Sequence, residues 1–304
     1  MRYGLTDEER TYFDEKGFLI FNNVLSPAEI AALTAAVDRE YERYGGEPGS
    51  GRLEVRNCAS KDPAFLKLIE HPVTLPVVAD LLGPNIKIRS THLDVRPSLQ
   101  RDLAQKEIGM ERMGEPENWH IDGPLFCYPT LDGLCPMMEV KWGFYLTDVT
   151  EANSGCLCVV PGSHKHDFRV MFQPDFKIPR EYVYKVQVPA GSAILFRTGL
   201  WHCVSPNTSG RTRKVLYYAY TYRWIHPSDY HEQSPELLAR CNPIQRQLLG
   251  ATAHPDRHPL GSDPEKPPCS FYWYTELDDM PILHWFKDLQ QRKEAAKAAA
   301  AVAE

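Results

Sequence analysis

The sequence predicts a mainly β fold, with a double-stranded β-helix (jelly-roll, cupin-like) core between N-terminal and C-terminal helices. After residue 83 the period of the hydrophobic pattern changes from about 3.6 to about 2, which is the period of a strand. The stretches that follow are rich in β-branched and aromatic residues and are bounded by Gly, Pro, Asn and Ser. They are IKIRSTHLDV, MEVKWGFYLTDV, GCLCVVPGS, VYKVQVPAGSAILFR and KVLYYAYTYRW. Roughly eight strands of this kind suit a jelly roll or a related barrel.

The predicted organisation is one domain over residues 1–290, followed by a polar, Ala-rich tail at 291–304. Within the domain, a helical cap covers residues 1–83, the jelly-roll core 84–225 and a helical and loop extension 226–290. One elaborated domain is expected because all-β domains of this length often form a single unit.

Two N-terminal helices are predicted from their start signals. Thr6 and Glu9 have the spacing of a capping box, so a short helix is expected there, ending at Gly17 before the strand FLIF. Ser26 and Glu29 have the same spacing around a proline, and the amphipathic stretch AEIAALTAAVDREYERY follows them.

Further helical segments and one long excursion are predicted elsewhere in the chain. Residues 63–82 are predicted as helix interrupted by two prolines, and residues 234–249 as one helix. The stretch PILHWFKDLQQRKEAAKAAAAVAE is a strong helix former. Residues 98–118 are charged and have no core pattern, which predicts an excursion between two strands that could act as a lid.

The composition indicates which partners to expect. The 304 residues include 34 basic and 40 acidic side chains, for a formal net charge of -6. This balance does not indicate the excess of positive charge that binds nucleic acid or an anionic membrane. No apolar run approaches the roughly 18 residues of a membrane span, and the acidic start does not resemble a signal peptide. The eight cysteines form no C-x-x-C pair and are expected to be reduced thiols. We therefore expect a soluble, cytoplasmic protein with a small-molecule partner, and homo-oligomerisation stays open.

A histidine and an aspartate two positions apart occur three times. The pairs are His92 and Asp94, His120 and Asp122, and His254 and Asp256. In a strand such a pair places an imidazole and a carboxylate on one face, where they could fill two neighbouring positions on a metal. The third pair is disfavoured because its intervening proline opposes an ordered strand. The second pair is favoured because Gly-Pro follows it and ends the strand at a barrel mouth. The first pair lies in a plausible strand and stays open.

His202, at the end of a hydrophobic strand, can supply a third ligand. Two histidines and one carboxylate form the facial triad that holds non-haem Fe(II) and leaves positions open for cosubstrate and O2. Arg211 and Arg213 follow on the next strand, and a guanidinium there could pair with a dicarboxylate through two N–H groups. The same ligand types also hold catalytic zinc, which leaves a zinc hydrolase as an alternative.

The order of several motifs resembles a known family. The motifs are FDEKGFLIFNNVLSPAEIAAL, WHIDGP, SGCLCVVPGSHK and the stretch from His202 to Arg213. Together they resemble the phytanoyl-CoA dioxygenase (PhyH) family of Fe(II)- and 2-oxoglutarate-dependent oxygenases, over residues 10–225. The resemblance implies an oxidoreductase that uses Fe(II), 2-oxoglutarate as cosubstrate and O2.

The resemblance also implies roles for particular residues. The metal ligands would be His120, Asp122 and His202. The arginine that binds the distal carboxylate of 2-oxoglutarate would be Arg213 rather than Arg211. His92 would form a wall of the cosubstrate pocket, and Trp142 would lie near the cosubstrate.

The reaction expected from the resemblance is hydroxylation of a small apolar or ring-bearing organic molecule, with release of succinate and CO2. Related halogenases replace the carboxylate at Asp122 by a small residue, so its presence favours hydroxylation, while desaturation, ring closure and peroxidation stay open. Phe126, Tyr128 and Trp224 are predicted to line the substrate pocket, as would suit natural-product metabolism. The alternative from another class is a non-catalytic jelly-roll protein that binds a small molecule.

Overall fold

The computed structural model describes residues 2–47, 51–99, 119–122, 134–173, 176–251 and 280–303. The chain forms two compact units. The first comprises Asp7–Cys58 and Thr91–Tyr218, and the second comprises Met1–Thr6, Ala59–Ser90 and Ala219–Glu304. The single domain predicted over residues 1–290 stays a prediction.

Several predictions fall on residues outside the described ranges. These are the excursion at 98–118 apart from its first two residues, the pocket residues Phe126 and Tyr128, and the pair His254 and Asp256.

The strands form two mainly antiparallel sheets. Their bounds are β1 Phe18–Phe21, β2 Leu53–Arg56, β3 Ile86–Arg96, β4 Glu139–Tyr145, β5 Leu157–Val159, β6 Tyr184–Val186, β7 Ala193–Arg197, β8 His202–Val204 and β9 Arg213–Tyr222. The larger sheet has the order β1-β7-β4-β9-β3-β2, and the smaller has the order β6-β5-β8. Pairing is antiparallel between β1 and β7, β4 and β7, β2 and β3, β5 and β6, and β5 and β8. This arrangement confirms the mainly β, jelly-roll fold.

Buried side chains of both sheets meet in one hydrophobic cluster of the first unit. Among them are Phe18 and Phe196 from the larger sheet, and Leu157 and Val186 from the smaller. Burial of this apolar surface stabilises the pairing of the two sheets, so strand residues at its border are held firmly in place.

The first unit also contains the two predicted N-terminal helices. They are α1 Asp7–Lys16 and α2 Pro27–Tyr44. The capping box of α2 is present, since the Glu29 amide donates to the Ser26 hydroxyl at 3.3 Å and the Ser26 amide donates to the Glu29 carboxylate at 2.8 Å. Gly45 ends α2 with a φ of 70°, a conformation that glycine adopts without steric cost.

The second unit is mainly helical. Its helices are α3 Pro63–Leu68, α4 Leu75–Leu82, α5 Pro235–Ala239, α6 Pro243–Leu248 and α7 Pro281–Ala303. The single helix predicted at 234–249 is wrong, because Asn242 caps a new helix that has Pro243 in its first turn. Helix α7 continues through most of the predicted tail. Within the described residues, no helix has the length and apolar character to cross a membrane.

Candidate metal and cosubstrate site

His120 and His202 lie opposite each other in a short antiparallel bridge of the first unit. Each backbone amide donates to the carbonyl of the other residue at 3.0 Å. The Asp122 amide donates to the Thr198 carbonyl at 2.8 Å, which fixes the chain two positions further on. Because side chains two positions apart in extended chain point the same way, His120 and Asp122 face His202 together. One ligand atom from each of the three lies within 4.8 Å of the others, so the structure brings the three predicted ligands together.

The ring of His202 is oriented by a hydrogen bond on its far side. Its Nδ1 lies 2.8 Å from the Leu200 carbonyl oxygen, which can only accept, so Nδ1 carries the proton. Nε2 is turned toward Asp122, 3.4 Å from Oδ2. A backbone carbonyl commonly orients a metal-binding histidine in this way. His202 is buried, whereas His120 lies at the exposed side of the site.

Asp122 forms an ion pair with Lys141, a contact that the sequence does not predict. Lys141 lies on β4, is 7% exposed, and its Nζ is 2.6 Å from Asp122 Oδ2. Burial alone would raise the pKa of Asp122, but the charges of Lys141, His202 and His120 together hold that pKa well below its ordinary value. The carboxylate is therefore ionised, as a metal ligand must be. The sequence feature that could have revealed this contact is a lysine within the strand stretch MEVKWGFYL, because a lysine is seldom buried unless it is paired.

The three side chains fit the donor set of a facial triad. At metal–ligand distances of about 2.1 Å, neighbouring ligand atoms lie about 3 Å apart. The ligand atoms here lie within 4.8 Å of one another, so small side-chain rotations suffice to reach that spacing. Two imidazoles and one carboxylate leave room for further ligands and suit Fe(II).

Arg213 begins β9 and lies inside the protein, 1% exposed. Its Nη1 forms an ion pair with Asp94, and its Nη2 donates to the Tyr217 hydroxyl at 2.6 Å. Its guanidinium also lies over the rings of Tyr145 and Tyr217, at 5.5 and 5.6 Å from their centroids. Burial would lower the pKa of Arg213, but Tyr217, Asp94 and Tyr145 raise it overall, so the side chain is charged. Arg211, the alternative, is 52% exposed and pairs with Glu151 at 3.0 Å.

Asp94 is surrounded by arginines rather than by metal ligands. Besides Arg213, it accepts from Arg96 Nε at 2.8 Å and from Arg52 Nε at 3.1 Å. Burial would raise the pKa of Asp94, but the three guanidinium groups hold it far below its ordinary value. The sequence left open whether His92 and Asp94 are metal ligands. Because Asp94 is paired with three arginines, these two residues do not form the metal-binding pair.

His92 lies next to this cluster. Its ring stacks on Tyr217 at 4.9 Å between centroids, and it is 9% exposed. Burial, and then the charges of Lys141 and Arg56, hold the pKa of His92 well below its ordinary value, so the imidazole is neutral. Nδ1 is buried and has no hydrogen-bond partner within the part of the chain that the structure describes. Its predicted role as a wall of the cosubstrate pocket stays a prediction.

Trp142 lies on the opposite face of β4 from the candidate ligands. Successive strand residues point to opposite faces, and Lys141 is the one that faces Asp122. Trp142 instead packs against Phe21 at 5.1 Å and Phe144 at 6.2 Å between ring centroids. This placement argues against the cosubstrate contact predicted for Trp142.

Trp224 belongs to the second unit and is 55% exposed. Its ring stacks on Tyr222, with 5.9 Å between centroids and 7° between planes. Its predicted role in the substrate pocket stays a prediction.

A jelly roll whose strands bring together two histidines and a carboxylate defines the class of non-haem Fe(II) oxygenases. The particular family follows from comparison of the sequence. The model of the phytanoyl-CoA dioxygenase (PhyH) family matches residues 13–215, and the chain belongs to that family. The members are Fe(II)- and 2-oxoglutarate-dependent oxygenases that use O2. The predicted family, enzyme class and cofactors are thereby confirmed.

Individual relatives are distant. An uncharacterized protein of Mycobacterium tuberculosis is 26% identical over 243 residues, covering 77% of this chain and 82% of its own. An ectoine dioxygenase of Stutzerimonas stutzeri is 23% identical over 241 residues, covering 69% and 74%. Among solved structures, HygX from Streptomyces hygroscopicus, with nickel and 2-oxoglutarate bound, has a TM-score of 0.57 at 18% identity and covers 77% of this chain and 94% of its own. At such identity the structural likeness shows the fold.

Proposed function

We propose that this oxygenase hydroxylates a small apolar or ring-bearing organic molecule, with release of succinate and CO2. The observation that carries the proposal is the convergence of His120, Asp122 and His202, with ligand atoms within 4.8 Å of one another. The retained carboxylate of Asp122 supports hydroxylation, because it occupies the position that a halide would need. The relative from Stutzerimonas stutzeri is an ectoine dioxygenase, and its small-molecule substrate supports a small-molecule substrate here.

In this proposal His120, Asp122 and His202 hold Fe(II). Fe(II) held there, with 2-oxoglutarate and O2, would supply oxidative decarboxylation of the cosubstrate coupled to oxidation of a substrate C–H bond. His202 acts as a neutral ligand through Nε2, because the Leu200 carbonyl keeps the proton on Nδ1. Asp122 supplies the single anionic ligand.

Arg213 binds the distal carboxylate of 2-oxoglutarate. A guanidinium carries five N–H donors, and because Asp94 and Tyr217 accept one each, donors remain for a carboxylate. Tyr145 and Tyr217 limit the movement of the group, and a fixed planar fork suits a carboxylate better than a flexible ammonium. The neutral ring of His92, stacked on Tyr217, forms a wall of the same pocket.

The substrate contacts remain those that the sequence predicted. Phe126, Tyr128 and Trp224 would give an apolar, aromatic lining, as is usual in small-molecule sites. The cytoplasmic location is likewise a prediction.

Anaerobic spectroscopy of the apo-protein tests the proposal. We expect that Fe(II) followed by 2-oxoglutarate gives a weak visible charge-transfer band, which is lost in both His120→Ala and His202→Ala. His226→Ala, which removes an exposed histidine of the second unit, is the matched control and should keep the band. Iron binding without a band would contradict the cosubstrate assignment, and absence of iron binding would contradict the metal assignment.

A further inference from the structure

Lys141 and a bound metal ion would share one oxygen atom. Lys141 Nζ lies 2.6 Å from Asp122 Oδ2, and His202 Nε2 lies 3.4 Å from the same oxygen. A metal held by His202 and this oxygen would lie about 2 Å from Oδ2. The ammonium in its present position would then be no more than about 5 Å from the metal ion. Like charges at that separation in a site shielded from water repel each other strongly.

The ammonium of Lys141 has donors to spare. It carries three N–H groups, and Asp122 accepts one. No other hydrogen bond to Nζ is present among the residues that the structure describes, and its further neighbour is the Phe196 ring, 6.0 Å from Nζ. A buried ammonium with unused donors favours an additional anionic acceptor.

Strand β4 connects the two ends of the cosubstrate site. Residues two apart share a face, so Lys141, Gly143 and Tyr145 line the same side of β4. Lys141 contacts Asp122 at one end, and the Tyr145 ring lies 5.5 Å from the Arg213 guanidinium at the other. A dicarboxylate that reaches from the metal ligands to Arg213 would therefore follow β4, with its metal-proximal carboxylate next to Lys141.

We infer that Lys141 is a positioning residue that competes with the metal for Asp122 and releases it when the dicarboxylate cosubstrate binds. The inference rests on the proposed function. Without cosubstrate, the ammonium occupies the carboxylate oxygen and weakens metal binding. With cosubstrate, the ammonium pairs with the cosubstrate carboxylate, and Asp122 becomes available to the metal. Metal and cosubstrate thus strengthen each other's binding, and the coupling is reciprocal.

Metal titration with and without cosubstrate tests this inference. Ni(II), which is inert to O2, serves as the probe, and its dissociation constant is measured by calorimetry at one pH with and without 2-oxoglutarate. In Lys141→Met we expect Ni(II) alone to bind roughly tenfold tighter or more than in the native protein, because the competing charge is gone. We also expect 2-oxoglutarate to improve Ni(II) affinity by a smaller factor in Lys141→Met. Chelation of the metal by the cosubstrate is common to both proteins, so the difference reports Lys141 alone.

Two control variants accompany Lys141→Met, and a third replaces it if it does not fold. Lys141→Arg keeps the positive charge and should bind Ni(II) as weakly as the native protein. Lys214→Met removes a lysine of the same sheet that is paired with Asp38, and should leave Ni(II) affinity unchanged. Lys141→Gln replaces Lys141→Met if the circular dichroism spectrum of the latter is not native.

The outcomes separate this inference from the proposed function. Equal or weaker Ni(II) binding in Lys141→Met would overturn it and would mean that Lys141 supports Asp122 as a ligand. An unchanged gain from 2-oxoglutarate would overturn the coupling. If Ni(II) binding to the native protein does not respond to His202→Ala, the proposed metal site itself fails.

Discussion

Asp94 of β3 and Arg213 of β9 form a buried ion pair, with the two side chains 3% and 1% exposed. The carboxylate lies against Nη1 and leaves donors on the guanidinium that can face a cosubstrate. Arg96 and Arg52 also donate to Asp94, so its negative charge is offset and does not repel a second carboxylate nearby. Asp94 thus holds the arginine in place without consuming its capacity to bind a dicarboxylate.

Replacement of Asp94 should weaken both folding and cosubstrate binding. In Asp94→Asn the buried guanidinium of Arg213 loses its charged partner, and we expect the free energy of unfolding to fall by about 3 kcal/mol. We expect the dissociation constant for 2-oxoglutarate to rise roughly tenfold, because Arg213 is less well fixed. Urea unfolding and calorimetry on the Ni(II)-loaded protein measure the two effects.

The matched control for Asp94→Asn is Glu151→Gln. Glu151 pairs with Arg211, and both side chains are more than half exposed, so its loss should change stability by less than about 1 kcal/mol. Equal effects of the two variants would contradict the structural importance assigned to the buried pair.

Arg213→Lys should show whether cosubstrate binding needs only the positive charge of Arg213 or also the planar shape of its guanidinium. Lysine keeps the positive charge but lacks the planar fork, so two parallel hydrogen bonds to a carboxylate are lost. We expect the dissociation constant for 2-oxoglutarate to rise roughly tenfold or more, with Ni(II) affinity in the absence of cosubstrate unchanged. Arg211→Lys, at an exposed position, should leave both constants unchanged. If the effects of the two variants were reversed, Arg211 would be the cosubstrate residue.

The part of the site that depends on short spacing along the chain could be predicted. His120 and Asp122 face the same way by extended-chain alternation alone, and Arg213 lies on the strand that follows His202 in the sequence, as expected. Lys141 was missed because its contact with Asp122 depends on how different segments of the chain pack. The face on which Trp142 lies could not be predicted for a related reason. A shift of one residue in the register of a strand moves every side chain to the opposite face of the sheet.

Trp142→Phe tests which face of β4 lines the site. Trp142 is fully buried against Phe21 and Phe144, so the smaller ring should lower the free energy of unfolding by about 1–2 kcal/mol through lost packing. Because Lys141 faces the candidate ligands, we expect the dissociation constant for 2-oxoglutarate to stay within about twofold of the native value. Thermal unfolding and calorimetry on the same samples measure both. A large loss of cosubstrate affinity with native stability would restore the contact first predicted for Trp142.

Lys87, in the second unit, should destabilise the fold at neutral pH. It is 7% exposed, and burial, followed by the charge of Arg223, lowers the pKa of Lys87 to about 8. The unfolded chain holds this proton up to about pH 10.4, so the cost of charging the buried group is fully present below about pH 8. We expect Lys87→Met to raise the free energy of unfolding by about 1–2 kcal/mol at pH 7, after allowing for solvent screening of the charge. The gain should shrink as the pH rises from about 8 and disappear above about 10.4, where lysine is neutral in both states.

Urea unfolding at pH 7, 9 and 10.5 follows this change. Lys61→Met, at an exposed position of the same unit, should show no gain in the free energy of unfolding at any pH. A gain that is equal at all three pH values would mean that packing of the methionine, and not removal of the charge, stabilises the variant.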